Sequence, residues 1–395
     1  MQISVERSGR VRLEALPPLA LYVHIPWCVR KCPYCDFNSH ENRGALPEKS
    51  YLEALMRDLE ARLPQVWGRP VVSVFIGGGT PSLFSPEAID ELLAGVRARV
   101  RLEPGAEITL EANPGTVEAA RFAGFRQAGV SRISIGVQSF DDRMLAALGR
   151  IHGGAEARRA IDAALASFDN VNLDLMYGLP GQSPAMARSD IEAATRCGAP
   201  HVSAYQLSLE PNTEFWSRPP QLPSHDACAD MQLAAEQALA AAGLEHYETS
   251  AFARPGRRCR HNLNYWEFGD YLGIGAGAHA KISFADRVTR HARIKQPRDY
   301  LRQANTVAEE HVVPAAELPF EFMMNALRLV DGFAAGLFTA RTGLPLSLVH
   351  TALERAENDG LIERDWQRIK PSARGRRFLN DLLQRFLAAE SKDRR

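Results

Sequence analysis

Six short runs of β-forming residues alternate with six amphipathic stretches over residues 19–250, and this alternation constrains the fold more than any other feature. The predicted strands lie at 21–25, 71–76, 107–112, 132–137, 171–176 and 201–209. The predicted helices, with apolar residues at helical spacing, lie at 47–63, 86–100, 117–128, 141–165, 185–197 and 225–243. Repeated strand–helix units favour a parallel sheet, either doubly wound or closed into a full or partial (β/α) barrel. Six repeats are too few for the usual eight-fold barrel.

The whole chain divides into five segments. We expect an N-terminal extension at 1–18, the α/β core at 19–250, a Gly-, Arg- and aromatic-rich extension at 251–305, a helical domain at 306–388 and a tail at 389–395. In the helical domain, two amphipathic helices, the hairpin "IERDWQRIKPS" and a final helix indicate a winged-helix-like arrangement. A helical packing domain with no nucleic-acid role is the alternative, and the neutral charge balance favours it.

Charge and hydropathy exclude several classes of protein. Lys+Arg and Asp+Glu are both 47, so a chain-wide attraction for nucleic acid is not expected. The first residues carry charges throughout, unlike a secretory signal, and no apolar run reaches the length of a transmembrane helix. We therefore expect a cytoplasmic protein, with peripheral membrane association left open. Because thiols stay reduced in the cytoplasm, clustered cysteines indicate metal ligands or catalytic groups before disulfides.

Three of the six cysteines fall within eight residues, in "HIPWCVRKCPYCDFNSH" just after the first predicted strand. Cys28, Cys32 and Cys35 have the spacing C-x3-C-x2-C. A structural zinc site needs four ligands, so His24 or His40 would have to complete it. An iron–sulfur cubane held by three thiolates instead keeps one iron open for another ligand. S-adenosylmethionine offers that iron an amine and a carboxylate, and it supports radical chemistry once an electron reaches its sulfonium.

Several of the later strands end in residues suited to ligand binding, at the edge where ligands bind in parallel βα folds. "GGGTP" follows the second predicted strand, and its glycines allow close approach of the backbone to a ligand; a tight turn alone is the alternative. Glu111, Gln138 and Asp174 lie in or at the ends of three consecutive predicted strands. One such residue is typical of a helix cap, but three converging at one rim favour ligand contact.

The cysteine spacing, its place after the first strand and the six repeats resemble the radical SAM superfamily. The resemblance implies a partial (β/α)6 barrel, a [4Fe-4S] cluster on the three cysteines and S-adenosyl-L-methionine on the open iron. It also implies a set of S-adenosylmethionine-binding residues, in which the two tyrosines supply rings near the cluster. The set is Tyr22, Tyr34, Gly78, Gly79, Thr80, Glu111, Gln138, Arg150 and Asp174. For Tyr22, packing in the core is the alternative that its residue type favours.

Further motifs resemble the branch of this superfamily that contains oxygen-independent coproporphyrinogen III dehydrogenase and its relatives. These are "LYVHIPWCVRKCPYCDF", "GGGTPS", "GVQSFDD" and the C-terminal helical domain. The dehydrogenase has a fourth cysteine where this chain has Phe37, and a longer arm before the first strand. Both departures, together with "HNLNYW" at 261–266, match the sister group instead, the radical SAM heme chaperones (HemW-type proteins).

This second resemblance implies a protein that binds heme and transfers it to a heme-accepting protein such as a respiratory enzyme. A neutral imidazole can ligate iron, so His261 is a candidate axial ligand. Tyr265 and Trp266 are candidates to stack on the macrocycle. An ordinary His-Asn turn capped by buried aromatics explains the same residues, and the chemistry of the residues alone does not decide between the two.

Other residues near this motif enlarge the set of heme-binding candidates. Arg257, Arg258 and Arg260 can pair with propionates, or can form a solvated cluster. Cys259 is a second candidate ligand, ahead of His24 and His279.

Whether the chain is an enzyme stays open at this level. The main alternative function is oxygen-independent oxidation of coproporphyrinogen III by a 5′-deoxyadenosyl radical, which Phe37 and the short arm argue against. Radical chemistry on heme itself is a third alternative.

Overall fold

A twelve-stranded sheet forms the centre of the computed structural model, which describes residues 10–116 and 119–387. Six neighbouring strands run parallel to one another in sequence order. They are β1 (Leu19–Ile25), β2 (Val71–Gly78), β3 (Leu102–Ala112), β4 (Arg132–Gln138), β5 (Val171–Tyr177) and β6 (His201–Gln206). All six predicted strands are therefore confirmed. Their sequential order is that of a barrel, because a doubly wound sheet reverses direction at a switch point.

The sheet continues beyond both ends of this series. At the β6 side it adds two antiparallel strands, and at the β1 side it adds four. They are β7 (Glu245–Glu248), β8 (Ala251–Ala253), β9 (Asp270–Ile274), β10 (His279–Ser283), β11 (Val288–Arg293) and β12 (Val307–Val312). β9 pairs in parallel with β1, with Leu19 opposite Asp270. Much of the segment expected as an extension at 251–305 thus lies in the same sheet as the core.

Ten helices connect these strands within the described residues. They are α1 (Glu48–Val66), α2 (Pro86–Arg99), α3 (Ala119–Ala128), α4 (Asp142–Ala147), α5 (Gly154–Ser167), α6 (Pro184–Arg196), α7 (Glu214–Ser217), α8 (His225–Ala241), α9 (Arg260–Trp266) and α10 (Pro297–Arg302). Ser85, Ser183 and Ser224 cap α2, α6 and α8 by accepting a backbone N–H hydrogen bond. The prediction of a single helix at 141–165 is wrong, because two separate helices, α4 and α5, form there. Gly149, with a φ of 68°, follows the end of α4 and turns the backbone out of the helix. The start of the helix predicted at 117–128 lies outside the described residues.

A buried ion pair fastens the added strands to the barrel. Asp58 of α1 accepts hydrogen bonds from Arg293 Nε at 2.9 and 3.0 Å, from the Tyr300 hydroxyl at 2.8 Å and from Thr306 at 2.9 Å. Both members of the ion pair have fully buried side chains. A buried carboxylate is tolerated when hydrogen bonds satisfy its oxygens, and this one joins α1 to β11 and α10.

The C-terminal unit combines helices with a small sheet, as the winged-helix prediction requires. It contains α11 (Leu318–Ala326), β13 (Phe333–Ala334), α12 (Ala335–Thr342), α13 (His350–Asn358), β14 (Ile362–Arg364), β15 (Arg368–Pro371), α14 (Ala373–Arg377) and α15 (Leu379–Gln384). The sequence prediction missed α12, and the predicted final helix is two short helices. The tail predicted at 389–395 lies outside the described residues.

The C-terminal unit packs on the added strands through an aromatic core. Phe322 of α11 lies 5.8 Å from the Phe268 ring and 5.0 Å from the Phe333 ring, measured between centroids. Arg290 of β11 pairs with Glu321 of α11 at 2.8 Å, which links the sheet to the C-terminal unit a second time. No helix within residues 10–116 and 119–387 is both long and apolar enough to cross a membrane.

Candidate functional site

The loop that carries the three clustered cysteines leaves the carboxyl end of β1 and is closed at its base by backbone hydrogen bonds. Trp27–Cys28 and His40–Glu41 form a short parallel ladder, in which the His40 N–H donates to the Pro26 carbonyl at 2.7 Å. Within the loop, the Cys35 N–H donates to the Cys32 carbonyl at 3.1 Å. These backbone contacts bring thiols that are seven residues apart in sequence to one side of the barrel mouth.

The three thiols line one cavity of about 400 Å³ at the carboxyl ends of the parallel strands. The Thr80 hydroxyl donates to Cys28 Sγ at 3.5 Å, and Arg150 Nη1 donates to Cys32 Sγ at 3.7 Å. Burial raises the pKa of Cys28 and of Cys35. Metal binding must therefore displace the protons from these thiols, because only the thiolate is a ligand.

The donor set fits an iron–sulfur cluster better than a zinc ion. Within residues 10–116 and 119–387, no three His, Cys, Asp or Glu side chains lie close enough together to hold one metal ion. Thiolates of a cubane bind separate irons and do not need to converge on one point. The two histidines considered as a fourth zinc ligand are already engaged: His24 with Tyr22 and Asn38, and His40 with Asn38. The structure therefore does not support the zinc alternative.

The glycine loop at the end of β2 lies against the cysteine loop. The Gly79 N–H donates to the Ile25 carbonyl at 2.8 Å, and the Thr80 N–H donates to the Trp27 carbonyl at 2.7 Å. A Cβ placed on Gly79 would lie 2.5 Å from the Trp27 carbonyl oxygen, which is backbone and cannot rotate away. Gly79 is thus required by the close approach of two backbone segments beside Cys28.

We expect Gly79→Ala to reduce the free energy of unfolding by about 1–3 kcal/mol, the range typical of overpacking. The same displacement should move Cys28 and lower the iron retained after anaerobic reconstitution. Chemical denaturation and iron per chain measure the two effects. Gly44→Ala is the matched control, because a Cβ there meets no atom within 4 Å. Wild-type stability and iron content in Gly79→Ala would show that the two loops are not held together in this way.

The remaining wall of the smaller cavity is built from side chains at the ends of consecutive strands. Burial and, to a smaller extent, the neighbouring Asp174 raise the pKa of Glu111 to about 8, and the Gly78 N–H donates to its carboxyl at 3.1 Å. Asp174 accepts hydrogen bonds from Ser134 and Asn172, both at 2.8 Å. The three expected polar residues at the strand ends, Glu111, Gln138 and Asp174, all line this cavity.

Gln138 has a strained backbone, with a φ of 67° at the end of β4. The left-handed region is unfavourable for a residue other than glycine, and such outliers concentrate at ligand sites. The Tyr205 hydroxyl donates to Gln138 Oε1 at 2.8 Å and fixes its side chain. Arg150 donates to the Gly136 carbonyl at 2.7 Å, so the guanidinium that faces Cys32 is also anchored to the end of β4.

Most of the expected S-adenosylmethionine contacts share this cavity, and one does not. Tyr34 lines it together with the glycine loop and Arg150, whereas Tyr22 lies on a second, larger cavity. The Tyr22 hydroxyl lies 3.0 Å from His24 Nδ1, a residue that also lines the larger cavity. Tyr205 and Asn113 line the smaller cavity without having been predicted. Neither belongs to a motif, and Tyr205 gave no signal beyond its place near the end of the sixth strand.

The larger cavity has a volume of about 970 Å³ and adjoins the smaller one. Phe37, Gly78 and Glu111 line both cavities, so the two meet at the end of the cysteine loop. Phe37 is 60% exposed at this junction. The residue at the position of the dehydrogenase's fourth cysteine thus presents an aromatic ring to both cavities.

The motif "HNLNYW" forms α9, which lies across β1, β2 and β9 at one wall of the larger cavity. His261 Nδ1 lies 3.2 Å from Ser73 Oγ, and the His261 ring packs 5.0 Å from the Phe75 ring. Burial and, to a smaller extent, the positive charge of Arg132 lower the pKa of His261 to about 3. The imidazole is therefore neutral near pH 7, with Nε2 lacking a hydrogen-bond partner among the described residues.

Aromatic side chains complete the cavity around His261. Tyr265 and Trp266 both line the cavity, with ring centroids 5.0 Å apart, and the Tyr271 ring lies 5.2 Å from that of Tyr265. Ser73, Phe75 and Tyr271 were not predicted as site residues. Ser73 and Phe75 are two positions apart in β2 and so share one face of that strand. A serine within an apolar run was the only sign in the sequence that this face has a role in the site.

The sequence left open whether the three arginines near the motif pair with propionates or form a solvated cluster. The three arginines, Arg257, Arg258 and Arg260, do not line the larger cavity. Arg258 pairs with Glu245 and Asp331, and Arg260 Nη1 donates to the Gly105 carbonyl at 2.7 Å. The side chains of Arg258 and Arg260 are thus used in local contacts, which favours the second of these two alternatives.

The alternative axial ligands also differ in availability. Cys259 is fully buried with Sγ 3.5 Å from Glu107 Oε1, does not line the cavity and has its pKa raised to about 12 by burial. Both ring nitrogens of His24 are hydrogen-bonded, to Tyr22 and to the Asn38 carbonyl. His279 is exposed and lines the cavity. After His261, the better candidate is thus His279 rather than Cys259.

Comparisons with known proteins agree with this architecture. The radical SAM superfamily matches residues 22–194, which include the three cysteines and every expected S-adenosylmethionine contact. The HemN C-terminal domain family matches residues 313–378 in the C-terminal unit. Coproporphyrinogen III oxidase (HemN) from Escherichia coli has the same fold, with a TM-score of 0.80 over 94% of this chain and 90% of that one, at 23% identity.

Sequence relatives match nearly the whole chain. The heme chaperone HemW of Escherichia coli (strain K12) is 50% identical over 377 residues, which are 94% of this chain and 99% of the relative. The heme chaperone HemW of Haemophilus influenzae is 48% identical over 95% of this chain and 99% of the relative. That of Mycobacterium tuberculosis (strain ATCC 25618 / H37Rv) is 38% identical over 97% and 99%. With its radical SAM core, its HemN-type C-terminal unit and these relatives, the chain belongs to the HemW family of the radical SAM superfamily.

Proposed function

We propose that this chain is a heme chaperone, which binds heme in the larger cavity and delivers it to a heme-accepting protein such as a respiratory enzyme. The relatives described above are named heme chaperones, and this chain matches nearly their whole length, which supports this function. The observation that carries the proposal is the neutral imidazole of His261, which lines an aromatic cavity beside the candidate cluster site.

His261 has the properties of an axial ligand to heme iron. A histidine ligates iron through a neutral nitrogen, and its other ring nitrogen is usually held by a hydrogen bond that fixes the ring orientation. Ser73 Oγ can accept that bond from Nδ1–H at 3.2 Å, which leaves Nε2 as the unprotonated nitrogen. The packing of Phe75 against the ring at 5.0 Å limits its rotation further.

The walls of the larger cavity suit a flat, apolar macrocycle. Tyr22, Phe75, Tyr265, Trp266 and Tyr271 all line it, and rings of this kind stack on a planar ligand. A volume of about 970 Å³ is at the upper end of the range usual for cofactor-sized ligands.

The smaller cavity suits a [4Fe-4S] cluster on Cys28, Cys32 and Cys35 and S-adenosylmethionine on its open iron. When bound, the cluster supplies the electron that makes the sulfonium of S-adenosylmethionine reactive. The protein side chains bind and orient these groups: Thr80 and Arg150 donate hydrogen bonds to thiol sulfurs. The glycine loop and the residues at the strand ends, Glu111, Gln138 and Asp174, line the space beside them.

Oxidation of coproporphyrinogen III is the second candidate function, and one observation favours it. The two cavities meet at Gly78 and Glu111, so a tetrapyrrole in the larger one lies next to the space proposed for S-adenosylmethionine. Phe37 at the same junction favours the chaperone function, because it places an aromatic ring where the dehydrogenase has its fourth cysteine. An exposed ring at this position adds apolar surface for a bound macrocycle.

An anaerobic titration of the reconstituted protein with heme, followed at the Soret band, tests the proposal. We expect saturation at one heme per chain and no product from coproporphyrinogen III when S-adenosylmethionine and a reductant are present. A parallel assay of that product distinguishes the two candidates. Turnover of coproporphyrinogen III without saturable heme binding would reject the chaperone in favour of the enzyme.

A further inference from the structure

Lys31, Arg290 and Lys295 line the larger cavity, and within the described part of the chain two of these three cations have no anionic partner. Arg290 pairs with Glu321 through Nε and Nη2 at 2.8 to 3.2 Å, and its Nη1 donates to the Tyr271 hydroxyl at 3.1 Å. Lys31 Nζ donates to the Phe37 carbonyl, at 3.4 Å. Among the described residues, neither Lys31 nor Lys295 has a carboxylate within ion-pair distance. The two lysines are therefore the cations that a ligand can engage.

The two lysines meet the same short segment at the end of the cysteine loop. Lys31 contacts the Phe37 carbonyl, and Asn38 Nδ2 donates to the Lys295 carbonyl at 2.8 Å. Asn38 also donates to the Ala276 carbonyl at 2.8 Å, which ties the cysteine loop to the added strands. We call Lys31 and Lys295 the carboxylate rim. Both are exposed, at the opening of the cavity beside Phe37.

The other titratable groups of the cavity do not cancel this charge. His24 and His261 are neutral near pH 7, because burial lowers their pKa to about 4 and about 3, and burial also lowers the pKa of His279. Glu111, whose pKa burial raises to about 8, is mostly protonated. Asp36 is the one remaining acid that lines the described cavity. Two lysines against one aspartate leave the opening positive.

We propose that Lys31 and Lys295 bind the two propionate carboxylates of heme at the opening of the larger cavity, which orients the macrocycle with its apolar body towards His261. This assignment rests on the proposed heme-binding function and names the part of the ligand that the opening recognises. Ammonium groups suit carboxylates that stay hydrated at a rim, whereas the aromatic walls suit the buried body of the ring. Since Lys31 lies between Cys28 and Cys32, the rim also connects the heme site to the loop of the cluster ligands.

The test compares heme with heme dimethyl ester, which has the same macrocycle and no free carboxylates. Both ligands are titrated anaerobically into the wild type and into the double variant Lys31→Gln/Lys295→Gln. We expect the double variant to bind heme roughly tenfold more weakly, since exposed ion pairs contribute a modest amount each. Its affinity for the dimethyl ester should equal that of the wild type. Lys370→Gln, which removes an exposed lysine paired with Glu363 in the C-terminal unit, is the matched control.

The possible results distinguish a failure of the carboxylate rim from a failure of the proposed heme-binding function. Unchanged heme affinity in the double variant, or equal weakening of both ligands, would overturn the rim and leave heme binding intact. No saturable binding of either ligand by the wild type would overturn the proposed function and the rim with it. Circular dichroism and iron per chain confirm that the substitutions leave the fold and the cluster unchanged.

Discussion

Replacing Cys28, Cys32 and Cys35 together by alanine should abolish iron and sulfide binding by the anaerobically reconstituted protein. The three thiols are half-buried and line one cavity, and no other described cysteine lines it. The base of their loop is closed by backbone hydrogen bonds, and the hydrophobic core consists of other residues, so we expect the variant to fold. Iron and acid-labile sulfide per chain are the measurements, with circular dichroism as the check on folding.

The same variant should lose binding of S-adenosylmethionine, because the open iron is the anchor for its amine and carboxylate. Equilibrium dialysis with labelled S-adenosylmethionine measures this loss. Cys197→Ala is the control, since Cys197 Sγ donates to the Ala193 carbonyl within α6 and does not line the cavity. It should retain a full cluster. Wild-type iron and sulfide in the triple variant would contradict the assignment of the ligands.

His261→Ala should lower the affinity for heme by about tenfold to a hundredfold or more. Loss of a residue that merely supports a metal ligand already costs this much, and His261 is proposed as the ligand itself. Because burial lowers the pKa of His261 to about 3, its protonation does not compete with iron until the pH falls towards that value. The wild-type affinity should therefore change little around neutral pH. Titration at the Soret band measures affinity and reports the change of axial ligand.

Two further variants sharpen this result. His350→Ala removes an exposed histidine on α13 that pairs with Glu354, and it should bind heme as the wild type does. Ser73→Ala removes the hydrogen bond at His261 Nδ1 but keeps the imidazole, so its effect should be smaller than that of His261→Ala. Equal heme affinity in His261→Ala and the wild type would move the ligand elsewhere, with His279 the next residue to replace.

The strands of the barrel could be predicted because each is a short apolar run followed by a turn and an amphipathic helix. The pairing of β1 with β9, on the side of β1 away from β2, could not be predicted. β9 begins 251 residues after β1 begins, and nothing local in "DYLGI" indicates that Asp270 pairs with Leu19. The wrong prediction of a continuous helix at 141–165 has a local cause, since Gly149 ends α4 in a left-handed conformation within an otherwise helical pattern.

The cluster side of the site was more predictable than the heme side. Cysteine spacing predicts candidate ligands directly, and polar residues at successive strand ends converge because parallel strands end at one edge. The heme side depends on which face of α9 meets the barrel. That face brings His261 to Ser73, and the segment before α9 pairs Arg258 with Glu245; the order of residues in "RRCRHNLNYW" reveals neither contact. Lys295 follows β11 and reaches the site only through the folded sheet.

The most direct test of the account is transfer of heme from this protein to an acceptor. The protein is loaded with one heme per chain, mixed anaerobically with the heme-free form of a respiratory enzyme, and separated from it by size before the heme in each fraction is measured. We predict that heme leaves the wild type and restores the activity of the acceptor faster than the same concentration of free heme does. Heme that stays with the loaded protein, or reaches the acceptor no faster than free heme, would contradict a chaperone function.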